Sequence, residues 1–287
     1  MNKYKNIDLH MHSTYSDGTD TPAALVENAN KIGLDLMSLT DHDTIKGCQN
    51  LLTLANHPDF VTGIEFSCKS NGQKCHLLGY GFDINDSGIK AITDATYKAR
   101  VDKVACTFDY LKENFNIVIP ESDMNEALSS NSPSHSHVAQ LMIKNGFAAD
   151  TVEAFRIIDG YQGKGSYVTP EEAIEVILGA GGVPVLAHGV FEDGGGNLDF
   201  NEMQSRVRKL KDAGLMGLEC YYSTFEQKHH DIMLTLATEF NLLVTAGSDY
   251  HGTNKTVPFA HTGKFPVKPE AMAPFYDVIA DKVISAV

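Results

Sequence analysis

The 287-residue sequence has no tryptophan and only 5 cysteines, and it is short of positive charge, with 23 Lys+Arg against 37 Asp+Glu and a formal net charge of −14. The cysteines, Cys48, Cys68, Cys75, Cys106 and Cys220, are odd in number and scattered, with no CxxC pair. Neither a disulfide framework nor a thiolate zinc site is expected, and the thiols read as reduced and mostly buried. No run approaches the ~18 uninterrupted apolar residues of a membrane helix, so no membrane partner is expected. The start, Met1-Asn2-Lys3-Tyr4-Lys5-Asn6, leads into Ile7-Asp8-Leu9-His10 rather than an apolar signal core, and cytoplasmic residence is the expectation. The deficit of Lys and Arg excludes a long nucleic-acid track, because binding along a phosphate backbone needs clustered cations to displace counterions. A small anionic substrate then requires a local reversal of sign, and the 12 histidines are the first pointer to how that is achieved.

What is present is a globular composition, with 43% hydrophobic and 21% charged residues, in a length close to the ~250–300 residues at which a single core stops growing. Short apolar runs alternate with helical patterns in the way of βαβ units. Ile7–His12 reads as a strand, and Pro22–Ile32 as a helix opened by Pro and stopped by Gly33. Leu36–Thr40 follows as a strand, Thr44–Ala55 as a helix, and Phe60–Ser67 and Lys74–Phe82 as strands. From about Asp86 to Asp159 the pattern is nearly all helical, over Ile89–Glu113, Glu121–Leu128, Ser136–Asn145 and Thr151–Ile158. The alternation then resumes with a helix at Pro170–Leu178, a strand at Pro184–Ala187, a helix near Asn201–Asp212, a strand at Met216–Cys220, a helix at Phe225–Phe240 and a strand at Leu242–Ala246. About seven strand-like segments make an α/β fold of (βα) barrel type the favoured architecture. The expected division is a barrel domain of 1–85 and 160–287, interrupted by a helical insertion, 86–159, acting as a lid. The Gly194-Gly195-Gly196 loop lacks the strand–loop–helix context of a phosphate cradle and reads as a surface turn.

Polar residues cluster at the ends of the strands, the edge at which α/β sheets bind ligands. His10 and His12 stand two apart on a strand, so both imidazoles share one face and can reach one metal ion. Residues of the same chemical type recur at other strand ends: Asp41-His42-Asp43, Glu65, His76, His188, and Asp249 with His251. Nitrogen and carboxylate donors without thiolate suit Zn, Mn or Fe, and they are too many for one ion. Two or three divalent ions are therefore expected, with a carboxylate bridging.

Asp8-Leu9-His10-Met11-His12-Ser13 with Ser16-Asp17-Gly18, Leu39-Thr40-Asp41-His42-Asp43-Thr44, Gly63-Ile64-Glu65, His76-Leu77-Leu78-Gly79-Tyr80, Leu186-Ala187-His188 and Gly247-Ser248-Asp249-Tyr250-His251-Gly252 together resemble the motif set of the polymerase and histidinol phosphatase (PHP) family. They occur in family order along nearly the whole chain, and the subgroup most resembled comprises phosphoesterases of nucleotides or short RNA. The resemblance implies a distorted (βα)7 barrel with three metal ions. One would be held by His10, His12, Glu65 and Asp249, a second by Asp17, His42 and His251, and a third by Glu65, His76 and His188. It implies phosphoester hydrolysis by a metal-bridging hydroxide, with Glu65, His42, Asp249 and His251 as catalytic candidates and Asp41 as an outer partner of an imidazole. No nucleophile-elbow motif supports a covalent route.

The subgroup's Arg-Pro-His-Ile-Ala is here His135-Ser136-His137-Val138-Ala139. His137 retains the family histidine, whereas His135 puts a group titrating near neutrality where a permanently charged fork would stand. His135, His137 and Lys164 are the candidate substrate contacts, and Tyr161, Tyr167 or Tyr222 are candidates to stack a base. The expected partner is a nucleotide, a 3′,5′-bisphosphonucleotide or a short RNA end. The alternatives are a histidinol-phosphate-type phosphatase, an amidohydrolase, and a metal-binding module without activity. His57 reads as structural or exposed, and His229-His230 as lying on a solvated helix face.

Overall fold

Several helix ends follow from local chemistry. In α1 (Pro22–Ile32), Thr21 accepts a hydrogen bond from the Ala24 amide, Pro22 occupies the first turn, and Gly33 at φ +67° closes the helix in the left-handed region. α7 (Pro170–Gly179) and α8 (Phe200–Asp212) begin with reciprocal caps, Thr169 with Glu172 and Asp199 with Glu202. The computed structural model describes residues 4–70, 72–161, 168–191 and 196–285. Lys164, Tyr167, Gly194 and Gly195 lie outside the described residues.

The described strands form two sheets. β1 (Ile7–Asp8), β2 (Leu36–Met37) and β3 (Asp59–Phe60) pair in parallel. β4 (Gly63–Ser70), β5 (Gln73–Tyr80), β6 (Val183–Ala187), β7 (Gly217–Tyr222) and β8 (Leu243–Gly247) form a mixed sheet in that order. Backbone hydrogen bonds join the sheets on both sides. Leu9 N donates to Ala246 O at 3.1 Å and His12 N to Tyr250 O at 2.9 Å, while Asp43 N donates to Glu65 O at 2.9 Å.

The molecule is thus mixed α/β, but it departs from a uniform βα series. β4 and β5 are an antiparallel hairpin with only two residues between them, and β5 also runs antiparallel to β6. The Asn71-Gly72 pair in the sequence is a strong hairpin signal, and it accounts for the missing crossover helix. Regular pairing in the first two strands stops after Asp8 and Met37, short of the expected His12 and Thr40. The segments that follow remain buried and carry the site.

α2 (Lys46–Leu51) is shorter than its pattern suggests. α3 (Ser87–Phe115), α4 (Glu121–Leu128), α5 (His135–Lys144) and α6 (Thr151–Ile158) enclose a core of their own, including Val104, Phe108, Leu111, Val138, Met142 and Ile158. The main core is built on the five-stranded sheet from Phe66, Leu77, Ile177, Val185 and Leu218, flanked by α7, α8 and α9 (Gln227–Glu239). α10 (Pro269–Ile279) adds Met272, Phe275 and Ile279 to that core. It escapes the sequence pattern because Pro269 and Pro274 mask its helical period. His229 and His230, expected in solvent, are buried at 4% and 7% exposure, their rings against Phe191, Phe225 and Phe265. No described helix is long and apolar enough to cross a membrane. All five cysteines are free, and Cys48, Cys68 and Cys220 are buried.

Candidate metal centre

The strand-end residues of both sheets meet at Glu65, which is fully buried on β4. Its Oε2 lies 3.2 Å from His10 Nε2, 3.1 Å from His12 Nε2 and 3.2 Å from His42 Nδ1. Its Oε1 lies 3.0 Å from His76 Nδ1 and 3.2 Å from His188 Nε2. Asp249 Oδ1 approaches His10 Nε2 at 3.4 Å and His12 Nε2 at 3.2 Å, and Asp17 Oδ1 lies 3.2 Å from His251 Nε2. All nine residues expected as ligands therefore surround one small volume. Their donor atoms fall into three overlapping groups: His10, His12, Glu65 and Asp249; His12, Asp17, His42 and His251; and His42, Glu65 and His76. The first matches the expected set. The second gains His12. The third contains His42 where His188 was expected, although His188 faces the same oxygen of Glu65.

Outer hydrogen bonds set which nitrogen each ring presents. His10 Nδ1 is 2.9 Å from Glu219 Oε1, and Glu219 Oε2 accepts from the His188 amide at 2.8 Å. His12 Nδ1 faces Ser16 Oγ at 3.4 Å, and that hydroxyl donates to Asp41 at 2.7 Å. Asp41 thus acts on His12 through Ser16 while also accepting from the amide and hydroxyl of Ser13. His251 Nδ1 donates to Asp249 O at 2.9 Å. With Nδ1 protonated, each of these rings presents an Nε2 lone pair. Asp8 holds the opposite wall together, accepting from the amide and hydroxyl of Ser248, next to Asp249. Asp43, His188 and Asp249 adopt positive φ of 54°, 30° and 58°. These conformations are costly for residues with a Cβ, and they cluster where side chains must be aimed.

Burial alone would favour neutral carboxyls here, yet His42, His10 and His76 hold Glu65 well below the usual carboxylate range. Asp249 is likewise held down, against burial, by Lys255, His10 and His251. Burial opposes charge on His12, but Asp249 and Glu65 outweigh it and raise its pKa to about 9. Burial dominates at His42, whose pKa falls well below the ordinary value.

The residues fit divalent cations. His10 Nε2, His12 Nε2, Asp17 Oδ1, His42 Nδ1 and Glu65 Oε2 are buried atoms without a hydrogen-bond partner. They lie close to one another without the geometry of mutual bonds. Orphaned lone pairs converging in a buried volume are costly unless a cation takes them up, and the donor set is imidazole and carboxylate.

Several contributors went unanticipated. Glu219 is fully buried in a strand of otherwise apolar or aromatic residues, and that lone acid was a readable signal. Tyr222 donates to Asp249 Oδ2 at 2.7 Å, so its hydroxyl holds a candidate ligand. Lys255 Nζ reaches the same oxygen at 2.6 Å. Arg100 on α3 binds Asp43, Ser67 Oγ and Pro133 O, tying the helical segment to the residue beside His42. His135 also corrects the expectation. Burial, with Lys103, Lys74 and Arg100 nearby, lowers its pKa to about 3, so it does not titrate near neutrality, and its Nε2 is 3.0 Å from Thr107 Oγ1. His137 Nδ1 is 2.9 Å from Ser134 Oγ. Tyr161 packs edge-on to His135 and Tyr110. His57 is buried, with Nδ1 2.7 Å from Pro58 O.

Residues 8–168, more than half of the chain, match the PHP domain family. A 5′-3′ exoribonuclease of Haemophilus influenzae is 30% identical over 259 residues, covering 86% of this chain and 90% of the relative. A phosphoribosyl 1,2-cyclic phosphate 1,2-diphosphodiesterase of Eggerthella lenta is 29% identical, covering 89% and 97%. A 3′,5′-nucleoside bisphosphate phosphatase of Chromobacterium violaceum is 27% identical, covering 86% and 87%. Among solved structures, a metal-dependent phosphoesterase of Bifidobacterium adolescentis superposes with a TM-score of 0.81 at 25% identity, covering 95% of this chain and 96% of that one. The matched family segment begins with the His10/His12 motif and runs through Glu65 and His76, and the relatives align well beyond it: the chain belongs to the PHP domain family.

Proposed function

We propose that this phosphoester hydrolase acts on small nucleotide-like substrates with a terminal or internal phosphoester: 3′,5′-bisphosphonucleotides, mononucleotides or the end of a short oligoribonucleotide. The observation that carries the reading is the convergence of five orphaned donor atoms, Glu65 Oε2 among them. Two or three Mn, Zn or Fe ions would be held there by His10, His12, Asp17, His42, Glu65, His76, His188, Asp249 and His251. Such ions supply Lewis-acid neutralisation of phosphoryl oxygens and lower the pKa of an attacking water.

The chain's own groups do the rest. Glu65 offers one oxygen to each half of the site, Glu219 and Ser16 aim His10 and His12, and Tyr222 and Lys255 orient Asp249. A cleft of about 660 Å³ connects His42, His76 and Asp17 with residues of α3, α5 and α6. That placement supports a lid role for 86–159. Hydrogen bonds joining the two sheets on both sides support a distorted (βα)7 barrel. The free, mostly buried cysteines suit a reducing, cytoplasmic setting.

Mn-loaded protein should release phosphate or mononucleotide from a panel of 3′,5′-bisphosphonucleotides, mononucleotides and 5′-phosphorylated di- to pentaribonucleotides. Hydrolysis of none of them would overturn the substrate reading. Histidinol phosphate belongs in the panel as the second monoester class.

A further inference from the structure

Arg100 ties the helical segment to two arms of the metal centre at once. It is largely buried on α3, and the carboxylate it meets, that of Asp43, is wholly buried. Arg100 Nε donates to Asp43 Oδ2 at 2.8 Å, Nη2 donates to the same oxygen and, at 2.9 Å, to Ser67 Oγ, and Nη1 donates to Pro133 O at 3.1 Å. The other Asp43 oxygen accepts from the Ser67 amide at 2.9 Å, and the Asp43 amide donates to Glu65 O at 2.9 Å. Asp43 is thereby clamped between the loop that carries His42 and the strand that carries Glu65. Its φ of +54° is one that a residue with a Cβ keeps only where its surroundings hold it. A second tie comes from the same segment: the buried Ser132, just before Pro133, donates from Oγ to His42 O at 2.7 Å. His42 belongs to two of the three groups of donor atoms. A buried carboxylate that loses its cation is strongly destabilising, so withdrawal of Arg100 strains the very loop that aims His42.

We propose that Arg100 is a positioning residue that couples the placement of α3 and of the segment leading into α5 to the metal centre, through Asp43 and His42. The inference rests on the metal-dependent reading above and adds a regulation of that site. An ion that fixes His42 also fixes the cleft wall to which Arg100 and Pro133 contribute, and by linkage a docked wall tightens ion binding by the same factor. The cleft therefore takes its final form on the metal-loaded chain. Deleting a positive charge would, by Coulomb attraction alone, tighten the binding of a cation nearby. The coupling requires the opposite sign.

Chelator competition for Mn²⁺ should show Arg100→Gln weakened about tenfold, the loss typical of a group that supports a metal ligand. Arg100→Lys should fall between it and the wild type, because one ammonium cannot reach Asp43, Ser67 and Pro133 together. Arg100→Gln combined with Asp43→Asn should lose much less than the product of the two single losses, since the partners act as one unit. Lys144→Gln, which breaks an exposed pair with Asp123 inside the helical segment, should bind Mn²⁺ as the wild type does. Amide hydrogen exchange gives a second readout: Mn²⁺ should slow exchange across 129–144 in the wild type and in Lys144→Gln, and this protection should be lost in Arg100→Gln. Thermal melts in EDTA verify that the variants are folded, and Arg100→Lys carries the test if Arg100→Gln is not. Folded Arg100 variants that bind Mn²⁺ as tightly as the wild type or tighter, or wild-type exchange across 129–144 that ignores Mn²⁺, overturn the coupling and leave the metal centre standing. A wild type that takes up no Mn²⁺ overturns the metal reading and the coupling with it.

Discussion

Glu219 binds both halves of the site at once: one oxygen faces His10 Nδ1 at 2.9 Å, and the other accepts from the His188 amide at 2.8 Å. Glu219→Gln keeps the shape but must turn an NH₂ group toward one of these two N–H donors. The expected result is a loss of metal affinity of about 10- to 100-fold with the fold retained. Chelator competition followed by metal analysis measures it, and unchanged affinity would show that Glu219 does not govern the orientation of His10.

Glu65 faces five histidines of the cluster, His10, His12, His42, His76 and His188, so Glu65→Gln should abolish activity, by at least about 10²-fold, and reduce the number of ions bound per chain. His57→Gln, remote from the cluster, should leave turnover nearly unchanged. Phosphate release and elemental analysis on both variants distinguish loss of the centre from general damage.

Gly247 ends β8 against the centre. A Cβ built there would lie 2.2 Å from His10 Cβ and 2.7 Å from Glu219 Oε1, closer than atoms pack. Gly247→Ala should destabilise the protein by about 1–3 kcal/mol through overpacking and also weaken metal binding. Urea unfolding in EDTA reads the first effect, and ion titration reads the second.

Acid should act through His135. Burial and the charges of Lys103, Lys74 and Arg100 hold its folded pKa at about 3 against an ordinary 6.5. Between these values the unfolded chain binds more protons than the folded one. The contribution to stability is therefore fully present above pH ~6.5 and is lost as pH falls toward 3. His135→Gln should lose about 1 kcal/mol less stability than wild type between pH 7 and pH 5, after discounting for partial exposure of the ring. Urea unfolding in EDTA at both values tests this, and parallel losses would refute it.

Divalent ions should stabilise the folded chain, since the unfolded chain has no preformed cluster. At a free Mn²⁺ concentration 100 times the dissociation constant the gain is about 2.7 kcal/mol per site, and it should shrink in Asp249→Asn. A urea midpoint that does not move on adding Mn²⁺ would argue against a bound centre.

Much of the centre was legible because its residues obey short-range rules. His10 and His12 share a face through the two-residue period of an extended chain, and Asp249 and His251 repeat that spacing. α1, α4 and α6 end where their sequence patterns end. The antiparallel β4–β5 hairpin was less legible, because alternation of apolar runs alone does not distinguish a hairpin from a crossover. α10 was hidden by its prolines.

The sequence by itself determined the chemistry of the site, because nitrogen and carboxylate donors at strand ends and the absence of paired thiols are properties of residue type and spacing. Only the tertiary structure decided how those donors are divided and aimed. Glu219 reaches His10 across 209 positions and Lys255 bends back onto Asp249, while burial, with Lys103, Lys74 and Arg100 brought near from separate elements, lowers the pKa of His135. Such contacts depend on how strands and helices pack, and the electrostatics of a buried group depend on every charge that packing brings near it. A net charge of −14 therefore coexists with a cleft that brings Lys74, Arg100 and Lys103 together with Asp17, Asp43 and Asp159.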